Sequence, residues 1–148
     1  MRLADVMTDE VFFLTPTDSV QQAAAAMRDL NVGIVPICDD EQRLLAVVTD
    51  RDLALRVLAE GKDGSTPLDE VASADPVAGQ KEWEVSSAIE IMSEKQIRRL
   101  PVVEGGKLIG IVSLGDISVH GTTSGAGAAL EEISRPAMPR RGLAHNEG

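Results

Sequence analysis

Aromatic side chains are nearly missing from this chain. Tyrosine is absent, Trp83 is the single tryptophan, and aromatics make up 2% of the 148 residues. The core must then be built from Val, Ile, Leu, Ala and Met, and a planar ligand has almost no Trp or Tyr face to stack on. A bound base would lie between aliphatic side chains. Cysteine occurs once, as Cys38, so no internal disulfide can form and nothing points to an oxidising compartment. Its apolar flank predicts a buried, inert thiol. His120 and His145 have no companions at ligand spacing, which argues against a metal site. Cys38 has no base nearby in sequence, and no Ser-His-Asp set, carboxylate pair or metal cluster stands out. The chain is therefore not expected to be an enzyme.

Positive charge is scarce too. Lys and Arg number 14 against 24 Asp and Glu, for a net charge of -10. Glu131, Glu132 and Glu147 are balanced by Arg135, Arg140 and Arg141 within residues 121–148, so the whole -10 belongs to residues 1–120. Nucleic-acid binding needs a basic face and is excluded as an expectation. An anionic ligand would need a local positive site. No apolar run approaches membrane-spanning length, and Met1 is followed by no apolar secretory segment, so no membrane association and a cytoplasmic location are expected.

What the chain does contain is a repeat. Displaced by 65 positions, Val6 falls on Val71, Thr8 on Ser73, Val20 on Val85, Ala23 on Ala88, Met27 on Met92 and Pro36 on Pro101. Beyond the following turn the displacement is 64: Leu44 falls on Leu108, Ala46 on Gly110, Val48 on Val112, Thr49 on Ser113 and Asp52 on Asp116. The match is collinear, as a duplicated unit requires.

Each copy reads alike. Val11 to Leu14 reads as a short strand. Ser19 and Gln22 fit a capping box, and Val20, Ala23, Ala24 and Met27 recur on one helical face, as do Val85, Ala88, Ile89 and Met92. Asn31 to Gly33 is a break. Ile34 to Cys38 reads as a strand, and Leu44 to Thr49, continuously apolar and Val-rich, as a buried strand. Gly105-Gly106 is a hairpin turn in the second copy. Asp52 to Glu60 reads as a helix stopped by Gly61, and Leu68 to Ser73 as a short helix entering the second copy. The fold class is α+β, two β-α-β-β-α repeats at residues 6–64 and 71–120. Residues 121–148, rich in Gly, Ser, Thr and Ala and later Pro, read as a flexible tail with a weak helix from Ala126 to Ile133.

The candidate chemistry lies where a strand meets a helix start, at Thr49-x-x-Asp52 and Ser113-x-x-Asp116. The spacing fits helix capping, a hydroxyl and an acid satisfying free backbone N–H groups. It equally fits a ligand site, with N–H groups and a hydroxyl for a phosphate and an aspartate for a ribose diol. The two readings are compatible, and spacing does not separate them. Arg51 is either an exposed helix residue or a phosphate contact. Arg98 and Arg99 precede Leu100-Pro101, where the first copy has Gly33 and Ile34, so the two ends are not equivalent.

The apolar-Pro-apolar strand, the hairpin and the Gly-apolar-apolar-Thr/Ser-x-x-Asp ending resemble the CBS (cystathionine β-synthase) domain. Two in tandem look like a Bateman module. The resemblance spans residues 6–120 and is closest over Arg98 to Asp116. The first copy departs from it at Ala46 and lacks basic residues before Pro36. The chain is similar to small stand-alone bacterial CBS-pair proteins, some linked to stress or hypoxia. The resemblance implies repeats packed about a pseudo-two-fold axis, with clefts that bind AMP, ADP, ATP, S-adenosylmethionine or a dinucleotide such as NAD. By motif position Asp52 and Asp116 would take ribose hydroxyls, Thr49 and Ser113 ribose or phosphate, and Arg98 and Arg99 phosphate. Ile34 and Val35, with their equivalents Arg99 and Leu100, would supply backbone and apolar contacts to adenine. The resemblance also implies a homodimer, with Leu53, Ala54, Val57 and Leu58 as a candidate interface, and a regulatory function read by an unnamed protein partner. The alternative is a ligand-free dimeric stress or interaction module.

Overall fold

In the computed structural model residues 1–120 are described; residues 121–148, with the tail and the weak helix from Ala126 to Ile133 expected there, lie outside them. The chain divides into two compact units that cut across the repeats. One is Phe12–Pro76; the other joins Met1–Val11 to the chain from Val77 onward.

In the Phe12–Pro76 unit, α2 (Val20–Leu30) starts at Ser19. The Gln22 N–H donates to Ser19 Oγ at 3.2 Å and the Ser19 N–H to Gln22 Oε1 at 2.8 Å, so the capping box expected from the sequence forms. Val20, Ala23, Ala26 and Met27 are buried. Ala24, expected on that face, is exposed. The helix ends at Asn31, whose φ of 57° is left-handed, a conformation Asn tolerates better than most residues.

Strands β1 (Ile34–Cys38) and β2 (Leu44–Thr49) form an antiparallel hairpin, and β3 (Ser73–Ala74) adds to β2. The turn is tied by Asp39, which accepts from the N–H groups of Glu41 and Arg43 at 2.9 Å each and from Arg43 Nε at 2.8 Å. Val35 pairs with Val48 across the hairpin and both are buried, since directly opposed residues share a face. β2 is not the fully buried strand expected: Val48 is its single buried residue, and Leu45 is 42% exposed. Its apolar run alternates between a core face and a face that the described chain covers less completely.

Three more expectations are corrected here. Val11 to Leu14 is not a strand; Leu14 alone bridges Ile37, in parallel. The helix expected from Asp52 begins at Asp50 as α3 (Asp50–Leu53) and widens at once into a π-helical turn, Ala54–Leu58. The helix expected from Leu68 to Ser73 is one 3-10 turn, Leu68–Glu70, because Ser73 and Ala74 pair with β2 instead. Leu68 and Val71 join Leu14, Val35, Ile37 and Val57 in the core. Val57 is thus a core residue rather than part of an outer surface, while Leu55 is 48% and Leu58 76% exposed.

In the other unit, α1 (Leu3–Val6) buries Leu3 and Val6 beside Leu114 and Ile117. α4 (Val85–Lys95) buries Val85, Ala88, Ile89 and Met92, the face its period predicts. β4 (Gly79–Gln80) lies parallel to β5 (Arg99–Glu104), which pairs antiparallel with β6 (Lys107–Ser113). Gly105 and Gly106 turn the hairpin with φ of 59° and 84°, the two positive values a tight primed turn demands. α5 (Leu114–His120) follows directly. Thr8 pairs with Ile111, and this close crossing explains Gly110: a Cβ there would lie 2.7 Å from Met7 Sδ and 2.9 Å from the Thr8 carbonyl.

Candidate functional site

The two hydroxyl-x-x-aspartate ends are built alike by their backbones. Ile34 is opposite Thr49, and the Asp50 N–H donates to the Gly33 carbonyl at 3.0 Å. Arg99 is opposite Ser113, and the Leu114 N–H donates to the Arg98 carbonyl at 3.0 Å. In each case the last strand pair feeds straight into a helix start.

Their side chains differ. At the first end the box closes on itself: the Asp52 N–H donates to Thr49 Oγ1 at 3.1 Å, and the Thr49 N–H to Asp52 Oδ2 at 2.9 Å. Asp52 Oδ1 faces Arg56 Nε at 3.8 Å. At the second end the Asp116 N–H donates to Ser113 Oγ at 3.0 Å, and among the described residues no return bond to the Asp116 carboxylate is found. Ser113, Asp116, Arg98 and Arg99 are all half-buried. Because opposed residues in an antiparallel pair point to one side, Arg99 and Ser113 share a face.

The remaining predicted residues fall as follows. Ile34 is half-buried and Arg51 exposed. Val35 and Leu100 are 1% and 0% exposed, so their side chains belong to the cores. Sequence reasoning missed two neighbours of the first end. Asp50 packs against Gly33, where a Cβ would lie 3.1 Å from Asp50 Oδ2; Gly33 matches Arg98 of the second copy, and a side chain at Gly33 would meet this carboxylate. Arg56, one turn beyond Asp52, donates through Nη1 to the Val71 carbonyl at 3.1 Å. The i,i+4 spacing from Asp52 was a readable signal for the ion pair; the contact with Val71 was not.

Cys38 is fully buried, and burial, aided by the Asp39 charge, pushes its thiol up to about 11. It stays protonated near neutrality, as an inert thiol does. Among the described residues no three His, Cys, Asp or Glu side chains gather as a metal-ligating group. No described helix is long and apolar enough to cross a membrane.

The CBS domain profile matches residues 3–59 and again residues 68–121. The chain belongs to the CBS-domain family. Its two copies of the domain make it a CBS pair. A CBS domain-containing protein of Bacillus subtilis, YhcV, is 42% identical over 131 residues, covering 88% of this chain and 93% of that protein. The crystal structure of Hypoxic Response Protein I with two coordinated zinc ions is similar at 32% identity and a TM-score of 0.74, over 81% of this chain and 98% of the other. That of CBSX2 in complex with AMP is similar at 26% identity and a TM-score of 0.69, over 80% and 93%. The CBS pair is thus a two-repeat α+β protein whose relatives include stand-alone CBS proteins and at least one that binds an adenine nucleotide.

Proposed function

We propose that this CBS pair is a non-enzymatic regulatory module that binds an adenosine-containing ligand of the AMP, ADP or ATP class. It acts as a cytoplasmic homodimer that a protein partner reads. The observation that carries the reading is the second end, where the Asp116 carboxylate is not consumed by a capping box. It stands at a helix start with its N–H on Ser113, and Arg99 is opposite Ser113 in the strand pair: an acceptor for a ribose diol with a donor for a phosphate on the Ser113 face. The AMP complex of CBSX2 supports the ligand class. Exposed Leu55 and Leu58 support association through the π-helical turn.

Thermal unfolding of the full chain with AMP, ATP and S-adenosylmethionine tests this. A ligand of the native state at about a hundred times its dissociation constant adds about 2.7 kcal/mol and must raise the midpoint. No shift at millimolar concentrations of any of them overturns the reading. Asp116→Ala is expected to weaken binding by about 1–3 kcal/mol. Arg98→Ala and Arg99→Ala should weaken AMP binding more than adenosine binding; equal losses would remove these arginines from phosphate recognition. A second reading, an interaction module without ligand, is favoured by the first end alone, where the closed Thr49–Asp52 box uses the same groups for capping.

A further inference from the structure

The first end carries a feature that neither capping nor ligand binding requires. Arg56 is half-exposed, yet its guanidinium engages two distant pieces of backbone and side chain at once. Its Nε lies 3.8 Å from Asp52 Oδ1, and its Nη1 donates to the Val71 carbonyl at 3.1 Å. Val71 is anchored in the core at 1% exposure. Two residues on, Ser73 pairs with Val47 and Ala74 with Ala46 of β2, the strand that ends at Thr49. The Thr49 N–H in turn holds the other oxygen of Asp52. The contacts therefore form a closed ring running Thr49, Asp52, Arg56, Val71, Ser73, Val47 and back to Thr49.

The local helix geometry makes the ring. The Ala59 N–H reaches back to the Ala54 carbonyl at 2.9 Å, a spacing one residue wider than an α-turn. Val57 enters the core at 5% exposure, and its neighbour Arg56 reaches over the core's rim to Val71. Single-turn π widenings of this kind recur at functional positions in helices.

We propose that Arg56 is a positioning residue that relays the state of the Asp52 carboxylate to the segment Val71–Ala74, with which the second repeat opens. While Asp52 Oδ1 faces Arg56, the guanidinium is held over the Val71 carbonyl and the β2–β3 pairing is supported. A hydroxyl that takes Oδ1, or loss of its charge, releases the guanidinium and loosens that segment. Such a relay gives the first end a regulatory role that does not depend on its phosphate affinity.

Hydrogen exchange of the peptide spanning residues 69–76 in the full chain tests the relay. Asp52→Asn and Arg56→Met are each expected to speed its exchange about two- to tenfold, and the double variant no more than either alone. Arg56→Lys should not restore the wild-type rate, because one ammonium cannot meet both partners in the planar geometry of a guanidinium. Additive effects in the double variant overturn the relay, as does unchanged exchange in Asp52→Asn. With AMP present, exchange of this peptide should rise in wild type and not in Asp52→Asn. If AMP fails to bind, the nucleotide reading falls, and the variant cycle still decides the relay.

Discussion

Asp39 gathers the hydrogen bonds of the first hairpin turn. The Arg43 N–H, the Arg43 guanidinium and the Glu41 N–H hold its carboxyl below the usual carboxylate range. The folded state therefore binds this proton more weakly than the unfolded chain. Its contribution to stability is complete above about pH 4 and is lost as the pH falls through the lowered native value. Asp39→Asn is expected to lower the denaturant midpoint at neutral pH, with the gap to wild type closing on acidification. A gap of constant size across an acid series would show that the turn does not depend on this charge. Asp52 and Asp116 show how far single residues could be read. Their spacing to Thr49 and Ser113 made them visible as pairs, and the structure places each aspartate's N–H on its hydroxyl. Identical spacing concealed the difference: one carboxylate returns the bond and the other does not. That depends on side-chain rotation, which spacing does not encode.

At the level of elements, the legible parts are those where hydrophobic period and burial agree. α4 mixes serines and glutamates among its apolar residues, so its face is unambiguous, and the four expected positions are all buried. α2 runs through Ala23, Ala24, Ala25 and Ala26, which give the period no contrast; Ala26 rather than Ala24 turns inward beside Met27. β2 misled for the same reason, since an unbroken apolar run hides which face is the core. The π-helical turn, which turns Val57 into the core, had no signature in the hydrophobic period. Gly110 is the position where the hairpin element imposes a firm demand. An added methyl would press on the Thr8 carbonyl, which is backbone and cannot swing away. Gly110→Ala is expected to cost about 1–3 kcal/mol, measured by chemical denaturation. Ala46→Gly, at the matching place in the first repeat, should cost less than about 1 kcal/mol. Equal costs would mean that the crossing at Thr8 does not set the residue.

For the whole molecule, repeats in sequence and units in space are not the same divisions. The duplication was legible because the same residue types recur in the same order. The exchange of entry segments was not, because Leu3 and Leu68, or Val6 and Val71, look alike whichever core they enter. The structure puts Leu3 and Val6 with Val85 and Leu100, and Leu68 and Val71 with Val20 and Val35. Removing residues 1–8 should therefore strip two buried side chains, roughly 3–6 kcal/mol of burial, from the unit formed with the chain from Val77. The Phe12–Pro76 unit should keep its protection. Hydrogen exchange reads both at once, and loss of protection confined to residues 12–76 would overturn the assignment.

The same exchange of segments sets an order on synthesis. A chain emerging from the ribosome completes the core of Phe12–Pro76 as soon as Leu68 and Val71 are clear, since every member of that core has by then been made. Met1–Val11 comes out before that unit, yet Leu3 and Val6 must wait for Leu114 and Ile117, more than a hundred residues later. This early segment is among the last to be buried, and until then its apolar side chains are open to chaperones and proteases alike.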